Sequence, residues 1–148
     1  MDSQTRIKND KLKILITGSL GFLGKHLVAE LKNDKNFELL CLTRKNEDTS
    51  YLQNLGINYQ TCDLLDKQSI ESYIKNSDLI IHLAAKLRSK NDEEKLKNNI
   101  ESTQNILDCC SDKQRIIFSS STLADNPLDA YGKSKKMCED IIVDSKIP

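Results

Sequence analysis

Residues 17 to 24 of this chain read Thr17-Gly18-Ser19-Leu20-Gly21-Phe22-Leu23-Gly24. This stretch follows the apolar run 12–16 and precedes the helix-like stretch 25–31, so the pattern predicts a buried strand, a glycine turn and a helix. Unpaired backbone N–H groups and the positive end of a helix dipole meet at such a junction, which favours a pyrophosphate. The sequence therefore predicts a nucleotide site at this turn.

Each glycine of the turn has its own predicted role. Gly18 allows a tight turn, Gly21 removes a side chain where phosphate approaches the backbone, and Gly24 lets the helix pack against the strand. The alternative is an ordinary strand-to-helix turn without a nucleotide. The G-x-x-G-x-x-G spacing, with Thr17 before it and Phe22 after the second glycine, favours the nucleotide.

Strand-like and helix-like segments alternate along the rest of the chain, without repeats or an internal linker. This alternation predicts an α/β fold with a doubly wound parallel sheet, Rossmann-like, in the strand order 3-2-1-4-5. The predicted strands are 12–16, 37–43, 57–62, 78–83 and 115–119. The predicted helices are 25–31, 66–74 with Asp66 as N-cap, 92–110 and 129–144, while 46–55 is either a short helix or a loop.

The composition is that of a single soluble domain. The 148 residues are 38% hydrophobic and 30% charged with a formal net charge of zero, so neither a nucleic acid nor a membrane is predicted as a partner. Residues 1–11 are interpreted as a polar tail, 12–148 as the domain, and the location as cytoplasmic. Five cysteines without CxxC spacing and two isolated histidines, His26 and His82, predict free thiols and no metal site.

Parallel strands bring their carboxyl ends to one edge of the sheet, where ligands of such folds bind. The second predicted strand ends in Thr43-Arg44-Lys45. NAD-selective proteins usually place an acid there for the ribose 2′-hydroxyl, whereas an arginine favours the 2′-phosphate of NADP. Arg44 therefore predicts NADP, with NAD as the second option and a solvated basic turn as the alternative interpretation.

Polar residues after the fifth predicted strand point to catalysis. That strand runs into Ser119-Ser120-Ser121-Thr122, and Tyr131 precedes Lys135 by four residues, which places both side chains on one face of a helix. A tyrosine with a pKa of about 10 is a poor base, but a neighbouring ammonium stabilises its phenolate. Tyr131 is thus predicted as the acid or base and Ser121 as the group that binds the substrate oxygen, with its neighbours in the run as alternatives.

Together, the glycine turn, the serine run and the Tyr-x-x-x-Lys of residues 131–135 resemble the extended branch of the short-chain dehydrogenase/reductase family, the NAD(P)-dependent epimerases and dehydratases. The resemblance covers residues 13–148. It implies a nicotinamide cofactor and a nucleotide-sugar substrate, and it leaves a homodimer as an option. Since family members continue into a sixth strand and a smaller substrate domain, the chain is interpreted as the cofactor-binding part, truncated before strand 6.

The resemblance also implies roles for residues between these motifs. Asp63 and Leu64 resemble the pair that holds the adenine ring, and Asn99 has the position of a structural or proton-relay asparagine. The predicted catalytic residues are Ser121, Tyr131 and Lys135. The predicted cofactor-binding residues are Thr17, Gly18, Leu20, Gly21, Phe22, Leu23, Gly24, Arg44, Asp63, Leu64, Leu83, Ala84, Ala85, Asn99, Tyr131 and Lys135.

Three functions follow from these assignments. The first is an epimerase, dehydratase or reductase acting on a nucleotide sugar, although the stretch from Ser121 to Tyr131 is short for the family and leaves the substrate open. The second is a module that binds NADP(H) without turnover. The third is a nonfunctional fragment of a longer enzyme.

Overall fold

The computed structural model describes residues 11–87 and 91–148, so the predicted polar tail lies outside the described residues except for Lys11. Strands and helices alternate along the chain, as predicted. The strands are β1 (Leu12–Thr17), β2 (Phe37–Thr43), β3 (Asn58–Thr61), β4 (Leu79–His82) and β5 (Arg115–Phe118). The helices are α1 (Phe22–Leu31), α2 (Ser50–Asn54), α3 (Lys67–Lys75), α4 (Asp92–Cys109), a short 3-10 helix (Thr122–Ala124) and α5 (Ala130–Ser145).

The five strands form one sheet in the order β3-β2-β1-β4-β5, which confirms the predicted Rossmann-like topology. All four neighbouring pairs are parallel, with Ile14 of β1 opposite Leu39 of β2 on one side and Leu79 of β4 on the other. The chain leaves β1 in one direction to form β2 and β3, and returns to the other side for β4 and β5. The carboxyl ends of the strands therefore leave a crevice beside β1, where ligands of such sheets bind.

Alternating residues of the strands supply two hydrophobic layers, one on each face of the sheet. On one face, Ile14 and Ile16 of β1 pack in a cluster with Val28 of α1 and Leu52 of α2. On the other face, Leu15 lies in a cluster that includes residues of α3 and α4. Burial on both faces explains why the central strands β1, β2 and β4 read as largely apolar runs in the sequence.

Helix boundaries follow local capping chemistry. The Asp66 carboxylate accepts from the backbone N–H of Gln68, which confirms the predicted N-cap of α3, and Asp129 caps α5 by accepting from Gly132 at 2.6 Å. Helix α1 begins at Phe22 rather than at Lys25, because the chain becomes helical directly after Gly21. The 3-10 helix after β5 was not predicted; the Ser121 hydroxyl caps it by accepting from the backbone N–H of Leu123.

Within residues 11–87 and 91–148, none of the helices combines the length and the hydropathy needed to cross a membrane. The same part of the chain contains no group of three or more His, Cys, Asp or Glu side chains placed to hold a metal ion. All five cysteines are free thiols, as the cysteine spacing predicts.

Candidate functional site

A cleft of about 400 Å³ opens where β1, β2, β3 and β4 end. The predicted cofactor-binding residues that line it are Gly18, Leu20, Gly21, Arg44, Asp63, Leu64, Leu83, Ala84, Ala85 and Asn99. The predicted residues that do not line it are Thr17, Phe22, Leu23, Gly24, Ser121, Tyr131 and Lys135. The fold thus brings together residues that are up to 84 positions apart in the sequence, from Gly18 to Ser102, in the crevice that the strand order creates.

Two of the three turn glycines are required by the fold itself. Gly18 has a φ of +72°, and a Cβ on it would lie 2.6 Å from the backbone N of Ala84. A Cβ on Gly24 would lie 2.2 Å from the carbonyl oxygen of Gly18, within the turn. The nearest atoms to a Cβ on Gly24 all belong to Gly18 and Ser19, so its close contact is with the turn, whereas the sequence predicted a contact with the strand.

Gly21 differs from the other two, because the one atom that its Cβ would approach is the Gly18 oxygen, at 3.2 Å. Its missing side chain leaves space on the cleft side of the turn. Gly21 is also the N-cap of α1, and no side chain caps this helix, whereas side chains cap α3, α4 and α5. The first turn of α1 therefore offers backbone N–H groups and a positive dipole end beside the cleft, which is the arrangement that a phosphate requires.

The segment after β2 contains an acidic residue, Glu47, as well as the basic residue Arg44. The guanidinium of Arg44 donates to Oε1 of Glu47 from Nε at 3.0 Å and from a terminal nitrogen at 2.8 Å. Both residues line the cleft. Glu47 is not among the residues predicted from the sequence, because it lies three positions beyond Arg44 and not directly after the strand. The signal that could have found it is Asn46, a residue that tolerates the left-handed backbone of a tight turn and here has a φ of +67°.

Asp63 is a turn residue that also lines the cleft. Its Oδ1 accepts from the backbone N–H of Leu65 at 3.0 Å, as an ordinary turn residue does, and it also lines the cleft. The neighbouring Cys62 lines the same wall, although no role was predicted for it. Burial is the main cause that raises the pKa of the Cys62 thiol to about 11, so it is a neutral group at the cleft surface.

Asn99 of α4 is buried and connects three segments. Its Oδ1 accepts from the backbone N–H of Lys86 at 2.6 Å, and its Nδ2 donates to the Ser134 hydroxyl of α5 at 3.0 Å and to the Lys86 carbonyl at 3.3 Å. All of these partners lie at least 13 residues away in the sequence. Asn99 therefore fixes the loop after β4, which forms one wall of the cleft, against α4 and α5.

Helix α5 places Lys135 beside Tyr131, as their spacing predicts. Lys135 is 2% exposed, and its Nζ lies 5.8 Å from the centre of the Tyr131 ring and 4.4 Å from that of Phe118. The ammonium donates to the carbonyl of Ser119 at 2.6 Å. This buried cation thus lies between α5 and the segment that follows β5.

The hydroxyls of Ser120 and Ser121 have different hydrogen-bond partners. The Ser120 hydroxyl is hydrogen-bonded to the Glu139 carboxylate of α5. The Ser121 hydroxyl accepts from Leu123 at 3.2 Å, which leaves its own proton available for another acceptor. This difference favours Ser121 over Ser120 as the residue that binds a substrate oxygen.

Residues 14–145 match the model of the NAD dependent epimerase/dehydratase family. The chain belongs to this family. A relative from Dictyostelium discoideum, a sterol-4-alpha-carboxylate 3-dehydrogenase (decarboxylating), is 31% identical over 66% of this chain and 30% of its own length. A UDP-N-acetyl-alpha-D-glucosaminuronate decarboxylase from Bacillus cytotoxicus is 31% identical over 83% of this chain and 39% of its own length.

Solved structures agree with this membership. The UDP-glucuronic acid 4-epimerase from Bacillus cereus, in complex with NAD, superposes with a TM-score of 0.77 at 25% identity over 90% of this chain and 52% of that structure. This chain thus spans about half the length of that structure and less than half of the two relatives above.

The electrostatics of Tyr131 differ from the expectation for a catalytic base, which needs a lowered pKa. Burial, followed by the Asp129 carboxylate, raises the pKa of the Tyr131 phenol instead of lowering it. Burial also lowers the pKa of the Lys135 ammonium. The two groups are adjacent, but the ammonium donates to the Ser119 carbonyl, and the protein alone does not stabilise the phenolate.

Proposed function

We propose that this chain is the NAD(P)-binding part of an epimerase, dehydratase or reductase that acts on a nucleotide sugar. One observation carries the proposal: the N-terminus of α1, which no side chain caps, lies beside the cleft at the ends of four strands, and Gly21 leaves space there. A dinucleotide needs such a phosphate site together with pockets on either side of it.

The cleft residues fit the parts of a dinucleotide. The backbone N–H groups at the start of α1 would hold the pyrophosphate, and Asp63 with Leu64 would hold the adenine end. Arg44 supports NADP(H) because a guanidinium pairs with a 2′-phosphate, and NAD(H) remains the second option. The bound cofactor would supply the acceptor and donor of a hydride.

The protein's own residues would handle the proton. Tyr131 would exchange a proton at its phenolic oxygen, and Ser121 would orient the substrate oxygen through its free hydroxyl proton. The Lys135 ammonium lies 5.8 Å from the centre of the Tyr131 ring, and with a cofactor bound it would help to stabilise the phenolate, which the protein alone does not do.

Nucleotide sugars are supported as substrates by the UDP-sugar names of the Bacillus relatives, whereas the Dictyostelium relative is named for a sterol. A cytoplasmic location and a homodimer stay predictions from the sequence. A second candidate is a module that binds NADP(H) without turnover. The raised pKa of Tyr131 favours it, because a neutral phenol is a weak base.

Titration of the purified chain with NADPH and NADH, by calorimetry or by quenching of cofactor fluorescence, tests the proposal. Gly21→Asp should weaken both cofactors at least about tenfold, because it adds a carboxylate at the phosphate site. Its backbone φ of −72° accepts a side chain, so the fold is expected to persist. Gly56→Asn is the matched control, because Gly56 lies outside the cleft and a Cβ there meets nothing within 4 Å. Equal binding by all three proteins would refute a cofactor site at this turn.

A further inference from the structure

The turn after β2 folds an acidic side chain back onto the end of the strand. The backbone N–H of Glu47 donates to the carbonyl of Arg44 at 3.3 Å, and Asn46 between them has a left-handed φ of +67°. This geometry returns the Glu47 carboxylate to the first residue beyond β2, where its Oε2 accepts from the backbone N–H of Arg44 at 2.9 Å. The residue directly after β2 is an arginine, but the turn places the carboxylate of Glu47 beside it.

Glu47 and Arg44 face the same space. Both line the cleft together with Gly18, Gly21 and Thr43, so they lie on its β1–β2 side. The other carboxylate among the described cleft residues is Asp63, which follows β3 and has one oxygen occupied by the Leu65 N–H. Glu47 is thus the acid that the fold places next to Arg44 in the cleft.

The pair can exchange partners. The Arg44 side chain is 75% exposed and that of Glu47 is 28% exposed, so the attraction between them is screened by water. A phosphate that offers Arg44 several oxygens can compete with one carboxylate for the guanidinium. The Glu47 carboxylate is held more firmly, because its Oε2 also accepts from the backbone N–H of Arg44, and this bond does not depend on the guanidinium.

We propose that Glu47 is a specificity-determining residue for the cofactor. This inference rests on the proposed function. The Glu47 carboxylate accepts a hydrogen bond from the ribose 2′-hydroxyl of NAD(H), and it repels the 2′-phosphate of NADP(H) while competing with it for Arg44. The two residues oppose each other: Arg44 favours NADP(H), Glu47 favours NAD(H), and their balance sets the preference of the wild type.

The test compares dissociation constants for NADH and NADPH in the wild type, Glu47→Gln, Arg44→Gln and the double variant. Glu47→Gln should shift the ratio of the two constants about tenfold toward NADPH, and Arg44→Gln should shift it about tenfold toward NADH. The double variant should return close to the wild-type ratio. Glu38→Gln is the matched control, because Glu38 is an exposed carboxylate of the same strand outside the cleft.

Titration with 2′,5′-ADP and with 5′-AMP isolates the ribose end, because these probes differ only in the 2′-phosphate. In Glu47→Gln, binding of 2′,5′-ADP should tighten and binding of 5′-AMP should not. A ratio that changes no more in Glu47→Gln than in Glu38→Gln would overturn the role of Glu47 and leave the cofactor site intact. A wild type that binds neither NADH nor NADPH would overturn this inference together with the proposed function.

Discussion

The hydroxyl oxygen of Thr17 lies 2.7 Å from Nδ1 of His82, and neither side chain is more than 1% exposed. The Thr17 oxygen also accepts from the backbone N–H of Ala84 at 3.3 Å. On its other side, Nε2 of His82 lies 3.2 Å from the Thr103 hydroxyl, which donates to the carbonyl of Asn99 at 2.9 Å. A consistent direction of donation makes Thr17 the donor to Nδ1 and places the ring proton on Nε2. This buried chain of hydrogen bonds connects β1 and β4 with α4, next to the glycine turn.

Acid should destabilise the protein through His82. Burial, followed by the charge of Lys135, lowers the pKa of the His82 imidazole to about 3 in the folded state, against an ordinary value of 6.5. The unfolded chain therefore binds one more proton between these values, and the free energy of unfolding falls as the pH drops below 6.5. From pH 6.5 to pH 5, this group should account for a loss of about 2 kcal/mol.

Urea unfolding at these two pH values measures the loss of unfolding free energy. Two variants test whether His82 causes it. His82→Gln should be less stable at neutral pH but should show a smaller loss on acidification. His26→Gln should behave like the wild type, because His26 is exposed. An unchanged pH dependence in His82→Gln would show that other groups cause the acid sensitivity.

Alanine at Gly18 should cost more than alanine at Gly56, although both glycines have a left-handed backbone. Their φ values are +72° and +68°, so the conformational penalty of about 1 kcal/mol is shared. A Cβ on Gly18 additionally meets the backbone of Ala84 at 2.6 Å, whereas one on Gly56 meets nothing within 4 Å. Denaturant unfolding should give Gly18→Ala an extra loss of about 2 kcal/mol. Equal losses would mean that the β4 loop moves away at little cost.

Removal of the Asn99 side chain should loosen the wall of the cleft. Asn99→Ala leaves the Lys86 N–H without its acceptor, and the free energy of unfolding should fall by about 1–3 kcal/mol. Asn54→Ala, at an exposed helical position of α2, should change it by less than about 0.5 kcal/mol. Hydrogen exchange of the Lys86 amide should accelerate in Asn99→Ala. An amide that exchanges at the wild-type rate would show that this hydrogen bond does not hold the loop.

Any turnover by this protein should depend on the phenol of Tyr131. Tyr131→Phe should lower kcat by at least about 100-fold and leave cofactor affinity nearly unchanged, because only the ionisable hydroxyl is lost. Tyr73→Phe is the control, since Tyr73 lies on α3 outside the cleft. Steady-state kinetics with UDP-sugar substrates checks the first effect and calorimetry the second. Full activity of Tyr131→Phe would show that the spacing of Tyr131 and Lys135 is a helical coincidence.

Lys135→Met should impair both turnover and cofactor binding, whereas Tyr131→Phe should impair turnover alone. Lys135 is predicted to hold the cofactor ribose as well as to stabilise the phenolate, so kcat and cofactor affinity should both fall by about tenfold or more. A variant that loses activity but keeps wild-type cofactor affinity would restrict the lysine to the chemistry of the tyrosine.

The sheet and its order could be predicted because their determinants are local. Apolar runs mark the strands, the glycine turn marks the junction of β1 and α1, and Asp66 and Asp129 cap helices through residues two or three positions away. Each of these interactions joins neighbours in the sequence. Short parallel connections then restrict the topology to few arrangements, and the observed order is among them.

The tertiary structure decided the features that depend on residues brought together from separate segments. The partners of the His82 and Asn99 side chains lie 13 to 65 residues away, and the return of Glu47 to the end of β2 depends on the backbone of a turn. The direction of the Tyr131 pKa depends on how deeply α5 buries the ring. Periodicity and motif spacing indicate which side chains the chain can bring to the site. Burial, distance and the direction of a hydrogen bond exist only after the chain has folded, and these quantities set the chemistry of the site.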